Sequence, residues 1–431
     1  MIPIYKFDDP GFDTALKKIV DRSEQAPAGV EETVRDIIAA VRAKGDAALF
    51  EYTGKFDRLE LSAETIQVSA DELDRALDTI EPAAREALEL AAERIAAYHE
   101  KQLSETWISK DEPDVQLGQM VRPLDKVGIY VPGGKAAYPS SVLMNAVPAK
   151  VAGVDEVIMV VPMPDGEANP YVLAAAKIAR VDRVFKIGGA QAVAALAYGT
   201  ESVPRVDKIT GPGNIYVATA KKQVFGQVDI DMIAGPSEIL IINDGSGNPA
   251  HLAADLLSQA EHDELASSVL ITTDAAMAEK VQAAVAEQLE QLPRADIARQ
   301  SVSDYGAIIV ASDILEAIDF SNSIAPEHLE LAVDEPFDIL DGIRHAGAVF
   351  LGHNTPEAAG DYLAGPNHTL PTGGTARFFS PLGVEDFIKK SSLVYFSREG
   401  LERLGEKIVT IAELEGLSAH ARSVSIRMQK D

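Results

Sequence analysis

The 431-residue sequence contains no cysteine. Disulfides, cysteine-ligated zinc, iron–sulfur clusters and catalysis by a thiol are therefore excluded. Long apolar runs are also missing, since VIMVVPM (157–163) is far shorter than the ~18 residues that a membrane span requires. The N-terminus lacks a basic start followed by an apolar core, so we predict no signal peptide, no membrane association and a cytoplasmic location.

Basic residues are scarce, with 39 Lys and Arg against 67 Asp and Glu and a net charge of −28. A surface that binds a polyanion needs a basic patch, so we predict no nucleic-acid partner. An acidic surface could attract a cationic substrate, although a solvated surface that aids solubility is the simpler interpretation. The length and the 46% hydrophobic content are typical of a globular chain with two or three domains.

The hydrophobic pattern changes along the chain. Residues 26–105 have apolar residues at helical spacing, whereas short β-branched runs recur at 154–160, 181–187 and 206–210 with Ala-rich helical stretches between them. This repeated β–α unit predicts a parallel sheet with crossover helices. A second set of strand candidates follows, namely SSVLITTD, GAIIVAS, LELAV and GAVFLG.

The sequence thus predicts an α/β fold with two Rossmann-like, incomplete, doubly wound domains. An N-terminal helical segment and a helical C-terminal tail complete this fold. The predicted parts are an N-terminal arm (1–25), a first α/β domain (26–126 and 237–381), a second α/β domain (127–236) and the tail (382–431). A cleft between two such domains is where ligands usually bind.

Three glycine-rich turns each follow a strand candidate and precede a helical stretch: VPGGK (131–135), IGGAQA (187–192) and TGPGN (210–214). At this position backbone N–H groups can meet a phosphate. Glycine also serves ordinary turn sterics, so nucleotide binding and simple turn formation both stay open.

Other candidate side chains are dispersed. In LLSQAEHDE, Gln259 and His262 stand three apart on one predicted helix face and could hold a metal, although glutamine is an unusual ligand and a solvated surface is the alternative. Asp361 lies in a loop rich in Gly and Pro, which is a common place for functional residues. The tail supplies Glu415 and His420.

The stretch SIAPEHLELAV (323–333) places Glu327 beside His328, just before a strand predicted to start near Leu329. Neighbours in an extended chain point to opposite sides, so this acid and base could flank one substrate carbon. A surface acid next to a half-buried histidine is the structural alternative.

Taken in order, the motifs GIYVPGG, GGAQA, TGPGN, DMIAGPSEI, SQAEHD, APEHLE, GDYLAGPNHTLPTGG and SAHA resemble those of histidinol dehydrogenases, from roughly Ile37 to the C-terminus. The resemblance implies a zinc- and NAD-dependent enzyme that oxidises L-histidinol via L-histidinal to L-histidine, the last steps of histidine biosynthesis. It also implies a homodimer with shared active sites, in which the ligand from the tail comes from the other chain.

Matching motifs carry over the following roles. The ligands of one zinc ion per subunit would be Gln259, His262, Asp361 and His420, and the catalytic acid–base pair would be Glu327 and His328. The zinc ligands and His328 would also contact the substrate, together with Ser237 and Glu415, while NAD would meet Tyr130, Gln191 and Asn214. On this assignment 127–236 binds the nucleotide, the first α/β domain holds the metal and catalytic residues, and the tail mediates dimerisation.

Elementary chemistry divides the work between the pair. A neutral imidazole can accept the hydroxyl proton in the alcohol oxidation, which makes His328 the general base. An aldehyde yields its hydride readily only after a nucleophile adds, and without cysteine that nucleophile must be water, which Glu327 would activate. Two alternatives stay open: an NAD-dependent dehydrogenase of another amino alcohol or polyol, and a two-domain protein whose cleft binds a small molecule without chemistry.

Overall fold

The structure, a computed structural model, describes residues 1–20, 29–133 and 138–429. The chain forms two compact units, the first made of Met1–Gln102 and Leu124–Phe387 and the second of Leu103–Pro123 and Ile388–Asp431. The end of the predicted arm and part of the VPGGK turn lie outside the described residues. Among those described, no helix is long and apolar enough to cross a membrane.

The described strands are, in chain order, β1 (Ile4–Lys6), β2 (Trp107–Glu112), β3 (Val115–Pro123), β4 (Lys126–Tyr130), β5 (Glu156–Val160), β6 (Arg183–Phe185), β7 (Lys208–Thr210), β8 (Asp229–Ile230), β9 (Glu238–Asn243), β10 (Ser267–Thr272), β11 (Gly306–Val310), β12 (His328–Ala332), β13 (Ala348–Leu351) and β14 (Ile388–Phe396).

The described α-helices are α1 (Phe12–Val20), α2 (Val30–Lys44), α3 (Asp46–Asp57), α4 (Ala70–Thr79), α5 (Pro82–His99), α6 (Pro139–Ala152), α7 (Pro170–Ile178), α8 (Gly189–Tyr198), α9 (Ile215–Val224), α10 (Pro249–Ala260), α11 (Ala275–Leu289), α12 (Ala295–Asp304), α13 (Ile314–Ile324), α14 (Pro336–Ile339), α15 (Glu357–Ala359), α16 (Arg398–Leu414) and α17 (Ser418–Met428).

Local chemistry explains several helix ends. Helix α4 begins with a capping box, in which Ser69 accepts from the backbone N–H of Glu72 while the Glu72 carboxylate accepts from the backbone N–H of Ser69. The predicted helical stretch that begins near Val30 breaks between α2 and α3 because Gly45 has φ +54, a value that residues other than glycine rarely adopt.

A six-stranded parallel sheet in the first unit has the order β1-β11-β10-β9-β12-β13. Its central strands are apolar on both faces, so Ile239 and Ile241 join one core cluster and Leu240 and Ile242 join another. Helices α10, α11 and α12 contribute to the first cluster and α1 and α13 to the second. Helices on both faces make this sheet doubly wound.

A five-stranded parallel sheet in the same unit has the order β6-β5-β4-β7-β8. Helices α6 and α7 cover one face, and α8 and α9 cover the other. The buried residues of α2 and α3 share a core cluster with α8 and α9, while those of α4 and α5 share one with α6 and α7. The predicted domain boundaries grouped 26–126 with 237–381, whereas these helices complete the core of the five-stranded sheet.

The second unit contains an antiparallel sheet with the order β14-β3-β2, followed by helices α16 and α17, which pack on each other. Strand β14 lies in the tail that the sequence predicts as helical, and its nine residues all pair with β3. Long-range pairing therefore decides the conformation of this segment. The α/β fold with two doubly wound sheets and helices α16 and α17 at the C-terminal end is confirmed.

Candidate active site

The candidate site lies at the amino-terminal edge of the six-stranded sheet. Strand β12 begins at His328, one residue earlier than predicted, with Glu327 directly before it. Helix α10 runs back across the sheet, so its last turn, which holds Gln259, returns to the same edge. Doubly wound sheets usually bind ligands at the carboxyl-terminal edge of their strands, so this placement is unusual.

The backbone of Glu238, the first residue of β9, contacts both members of the acid–base pair. Its N–H donates to Oε2 of Glu327 at 2.9 Å, and its carbonyl oxygen lies 3.1 Å from Nδ1 of His328. The sequence predicts that the two side chains diverge, yet Glu327 Oε2 lies 3.6 Å from His328 Nδ1. They converge because Glu327 precedes the strand and does not follow its alternation.

Two further carboxylates surround His328, which is buried. Oε1 of Glu357 lies 3.6 Å from Nδ1, and Oδ1 of Asp361 lies 3.8 Å from Nε2. Burial disfavours the charged form of Glu327 and raises its pKa to about 8, against the attraction of His328. Burial also disfavours the charged form of His328, which would lower its pKa, but the charges of Glu357, Glu327 and Asp361 outweigh this effect and raise the pKa of His328 to about 10.

Nδ1 of His328 has two neighbours that require different protonation states. The Glu238 carbonyl oxygen can only accept a hydrogen bond, whereas the amide nitrogen of Gln259, at 3.0 Å, can only donate one. When Nδ1–H is donated to Glu238, the lone pair of Nε2 is free. Nε2 is buried and has no hydrogen-bond partner among the described residues, so it can accept a proton from a bound molecule.

The same pocket has the chemistry of a cation site. Potential ligand atoms of His262, Glu357 and Asp361 all lie within 4.8 Å of one another. Oε1 of Gln259 and Oε2 of Glu357 are buried and find no hydrogen-bond partner in the described parts of the chain. Buried oxygens without a donor, beside more carboxylates than one imidazole can neutralise, fit a divalent cation held by N and O ligands.

Sequence reasoning missed Glu357, which is buried and whose pKa burial raises to about 7. It stands four residues before Asp361 in EAAGD, the spacing of neighbours on a helix face, and this signal could have identified it. Asp361 itself lies in a π-helical turn, Gly360–Ala364, a conformation that often occurs at functional sites.

The other predicted substrate and metal residues are more dispersed. Ser237 is half-buried and immediately precedes Glu238. Glu415 and His420 belong to the second unit, where both side chains are exposed. The roles predicted for these three residues stay predictions.

The three predicted nucleotide contacts lie at the carboxyl-terminal edge of the five-stranded sheet. The strand order reverses there between β4 and β7, which is where doubly wound sheets bind nucleotides. Tyr130 ends β4, and its hydroxyl oxygen accepts from the N–H of Gly189 at 3.1 Å. Burial raises the pKa of Tyr130 to about 12, so the hydroxyl stays protonated.

Gln191 and Asn214 complete this group. Gln191 is buried, and its Oε1 has no hydrogen-bond partner in the described part of the chain, so it can accept from a ligand. Asn214 caps helix α9, where its Oδ1 accepts from the N–H groups of Tyr216 and Val217. Asn214 therefore stabilises the start of α9 whether or not it also contacts a nucleotide.

Comparisons with known proteins agree along the whole chain. The profile of the histidinol dehydrogenase family matches residues 20–428. The chain is 70% identical to the histidinol dehydrogenase of Syntrophotalea carbinolica, with both chains covered completely. It is 68% identical to that of Geobacter sulfurreducens, over 98% of each chain.

A solved structure extends the likeness to the fold. The histidinol dehydrogenase of Elizabethkingia anophelis superimposes with a TM-score of 0.93 at 38% identity, covering 99% of this chain and 98% of that one. The chain therefore belongs to the histidinol dehydrogenase family, oxidoreductases of histidine biosynthesis.

Proposed function

We propose that this enzyme uses zinc and NAD⁺ to oxidise L-histidinol via L-histidinal to L-histidine. The observation that carries the proposal is the buried pair Glu327 and His328, held together by one backbone residue beside a group of cation ligands. We take histidinol as the substrate because the chain belongs to the histidinol dehydrogenase family. A cytoplasmic location remains a prediction.

Zinc would be held by Gln259, His262 and Asp361 of one chain and by His420 of the partner subunit. The unpartnered Oε1 of Gln259 and the neighbouring ligand atoms of His262 and Asp361 support this set. Bound zinc would supply positive charge that holds the imidazole and amine of the substrate. It would also offset the carboxylates that keep His328 protonated, so that its imidazole is neutral and ready to act as a base.

In the first oxidation, Nε2 of His328 accepts the hydroxyl proton of histidinol. The Nδ1–H bond to Glu238 fixes the required tautomer and points Nε2 away from β9. Bound NAD⁺ would supply the hydride acceptor in both oxidations. Ser237 and Glu415 are proposed as additional contacts to the substrate.

In the second oxidation, the carboxylate of Glu327, which positive charge from bound zinc would favour over the neutral acid, takes a proton from water as the water adds to the carbonyl of histidinal. The bond from the N–H of Glu238 leaves Oε1 of Glu327 available for that water. His328 then assists in removing a proton from the hydrate. Both groups can reach the same substrate carbon, because Oε2 of Glu327 lies 3.6 Å from Nδ1 of His328.

NAD⁺ is proposed to bind at the carboxyl-terminal edge of the five-stranded sheet, against Tyr130, Gln191 and Asn214. The N-terminus of α9 carries a partial positive charge that favours an anion nearby, while Asn214 already accepts from the N–H groups of Tyr216 and Val217. The free Oε1 of the buried Gln191 offers an acceptor to the nucleotide.

The proposal is tested by mixing the purified enzyme with histidinol and NAD⁺ and following NADH absorbance. We expect two NADH per histidinol, one zinc per chain by metal analysis, and loss of activity after chelation that zinc restores. One NADH per histidinol, or full activity of a metal-free preparation, would contradict the four-electron zinc mechanism.

A homodimer is proposed because the second unit exposes apolar side chains that water disfavours. Val394, Tyr395, Ile108 and Leu414 have exposed fractions of 67%, 55%, 56% and 82%. Such a surface is typical of a subunit interface.

If active sites are shared across this dimer, two variants that each fail to form histidine should complement each other. A mixed dimer of His420→Ala and Glu327→Gln chains has one site with both changes and one intact site. Random mixing after subunit exchange should therefore recover about a quarter of the wild-type rate of histidine formation. Activity that stays at the level of the separate variants would indicate sites built within one chain.

A further inference from the structure

A buried ion pair joins Lys221 of α9 to Asp231, the residue after β8. Their exposed fractions are 2% and 8%, and Nζ of Lys221 contacts Oδ1 of Asp231. A second bond fixes the acid, because the N–H of Met232 donates to the same Oδ1 at 2.6 Å. None of the proposed catalytic steps uses this pair.

The pair holds both backbone polar groups of Gly211 in the TGPGN turn. The N–H of Gly211 donates to Oδ2 of Asp231 at 2.7 Å, and Nζ of Lys221 donates to the carbonyl oxygen of Gly211 at 2.9 Å. Hydrogen bonds that involve a charged group are stronger than neutral ones. The turn is thus fixed by two opposite charges, one at each end of a single residue.

Gly211 also lies against the predicted nucleotide contacts. Its φ is +105, and a Cβ atom there would lie 2.1 Å from the carbonyl oxygen of Tyr130. Three residues later Asn214 begins the first turn of α9. A shift of Gly211 would therefore move the turn relative to Tyr130 and to the N-terminus of α9.

A gain in folding stability does not by itself explain why Lys221 and Asp231 form a buried ion pair. Removing two charges from water is costly, and buried ion pairs can often be replaced by apolar residues of similar volume without loss of stability. What an ion pair offers over an apolar contact is a defined geometry. Here that geometry is imposed on the turn that leads into the N-terminus of α9.

We propose that Lys221 and Asp231 are positioning residues, which hold the Gly211 turn in the conformation that binds NAD⁺ and so set the affinity for it. This inference rests on the proposed nucleotide site. It assigns no chemical role to either residue.

The test is Lys221→Met, which keeps the length and apolar stem of the side chain but removes the ammonium. The control is Lys208→Met. Lys208 is also a buried lysine, lies on β7 of the five-stranded sheet, and forms ion pairs with Asp229 and Asp386. We expect the dissociation constant for NAD⁺, measured by calorimetry, to rise about tenfold or more in Lys221→Met, the value of one charge-assisted hydrogen bond. The Lys208→Met constant should stay within about twofold of wild type.

Two further measurements separate positioning from general damage. At saturating NAD⁺ and histidinol, kcat of Lys221→Met should stay within about twofold of wild type while KM for NAD⁺ rises. Because the sequence has no cysteine, Lys221→Cys provides a single thiol. Aminoethylation of the unfolded protein followed by refolding restores an ammonium there and should restore NAD⁺ affinity.

Unchanged NAD⁺ affinity in Lys221→Met, or an equal loss in both methionine variants, would overturn the inference. If Lys221→Met does not fold, the milder Asp231→Asn variant is measured in the same way, with the same outcomes. A wild-type enzyme that binds no NAD⁺ would instead overturn the proposed function, so the two failures are distinguishable.

Discussion

Replacing Glu327 by Gln is expected to block the oxidation of histidinal while largely sparing the oxidation of histidinol. The amide cannot accept a proton from water, so the second step loses its general base, a loss of about 10²- to 10⁴-fold. The first step uses Nε2 of His328, and its rate should fall by less than about tenfold. The side-chain amide oxygen can still accept from the N–H of Glu238, which preserves the geometry.

The two half-reactions are measured separately, by supplying either histidinol or histidinal with NAD⁺ and recording NADH in a single turnover. His328→Asn is the contrasting variant, because it removes the base of the first step and the assistant of the second, and both rates should fall. Equal losses of both rates in Glu327→Gln would show that the acid serves the site as a whole and does not act specifically on water.

Much of the fold is readable from the sequence because parallel strands buried on both faces are short and rich in β-branched residues. The runs at 154–160 and 206–210 contain β5 and β7. The sequence does not show, however, which sheet each helix packs against. Helices α2 to α5 have apolar faces that would suit either doubly wound sheet, and only tertiary packing assigns them to the five-stranded one.

The tail illustrates the same limit. Four of the six exposed residues of β14 are lysine or serine, which weakens its strand signal, and its pairing with β3 depends on a segment more than 250 residues away. Local propensity is a weak guide where a distant strand supplies the hydrogen bonds.

At the site, Glu327 and His328 were identifiable because they are adjacent in sequence, and their convergence follows from where β12 begins. Glu357 was missed although Asp361 stands four residues later, because its other partner in the cluster, His262, comes from a segment about 95 residues earlier in the chain. Its burial and its unpartnered oxygen exist only in the fold.

Glu357→Gln is accordingly expected to weaken zinc binding by about 10- to 100-fold, a loss typical of groups in and around a metal site. The neutral amide removes one of the charges that attract the cation, and it also removes the carboxylate oxygen that has no other partner among the described residues. Zinc affinity is measured by competition with a chromophoric chelator, which needs no turnover, and metal content is measured after dialysis.

Glu327→Gln serves as the matched control, because it removes a buried carboxylate of the same pocket that is not among the clustered ligand atoms. Its zinc affinity should stay within a few-fold of wild type, since a charge that does not meet the ion directly contributes less than one that does. If both variants bind zinc equally weakly, the ion responds to the total charge of the pocket and Glu357 has no special place in it. If Glu357→Gln alone binds zinc as tightly as wild type, the unpartnered oxygen faces something other than the metal, and the ammonium group of the substrate becomes the group to test against it.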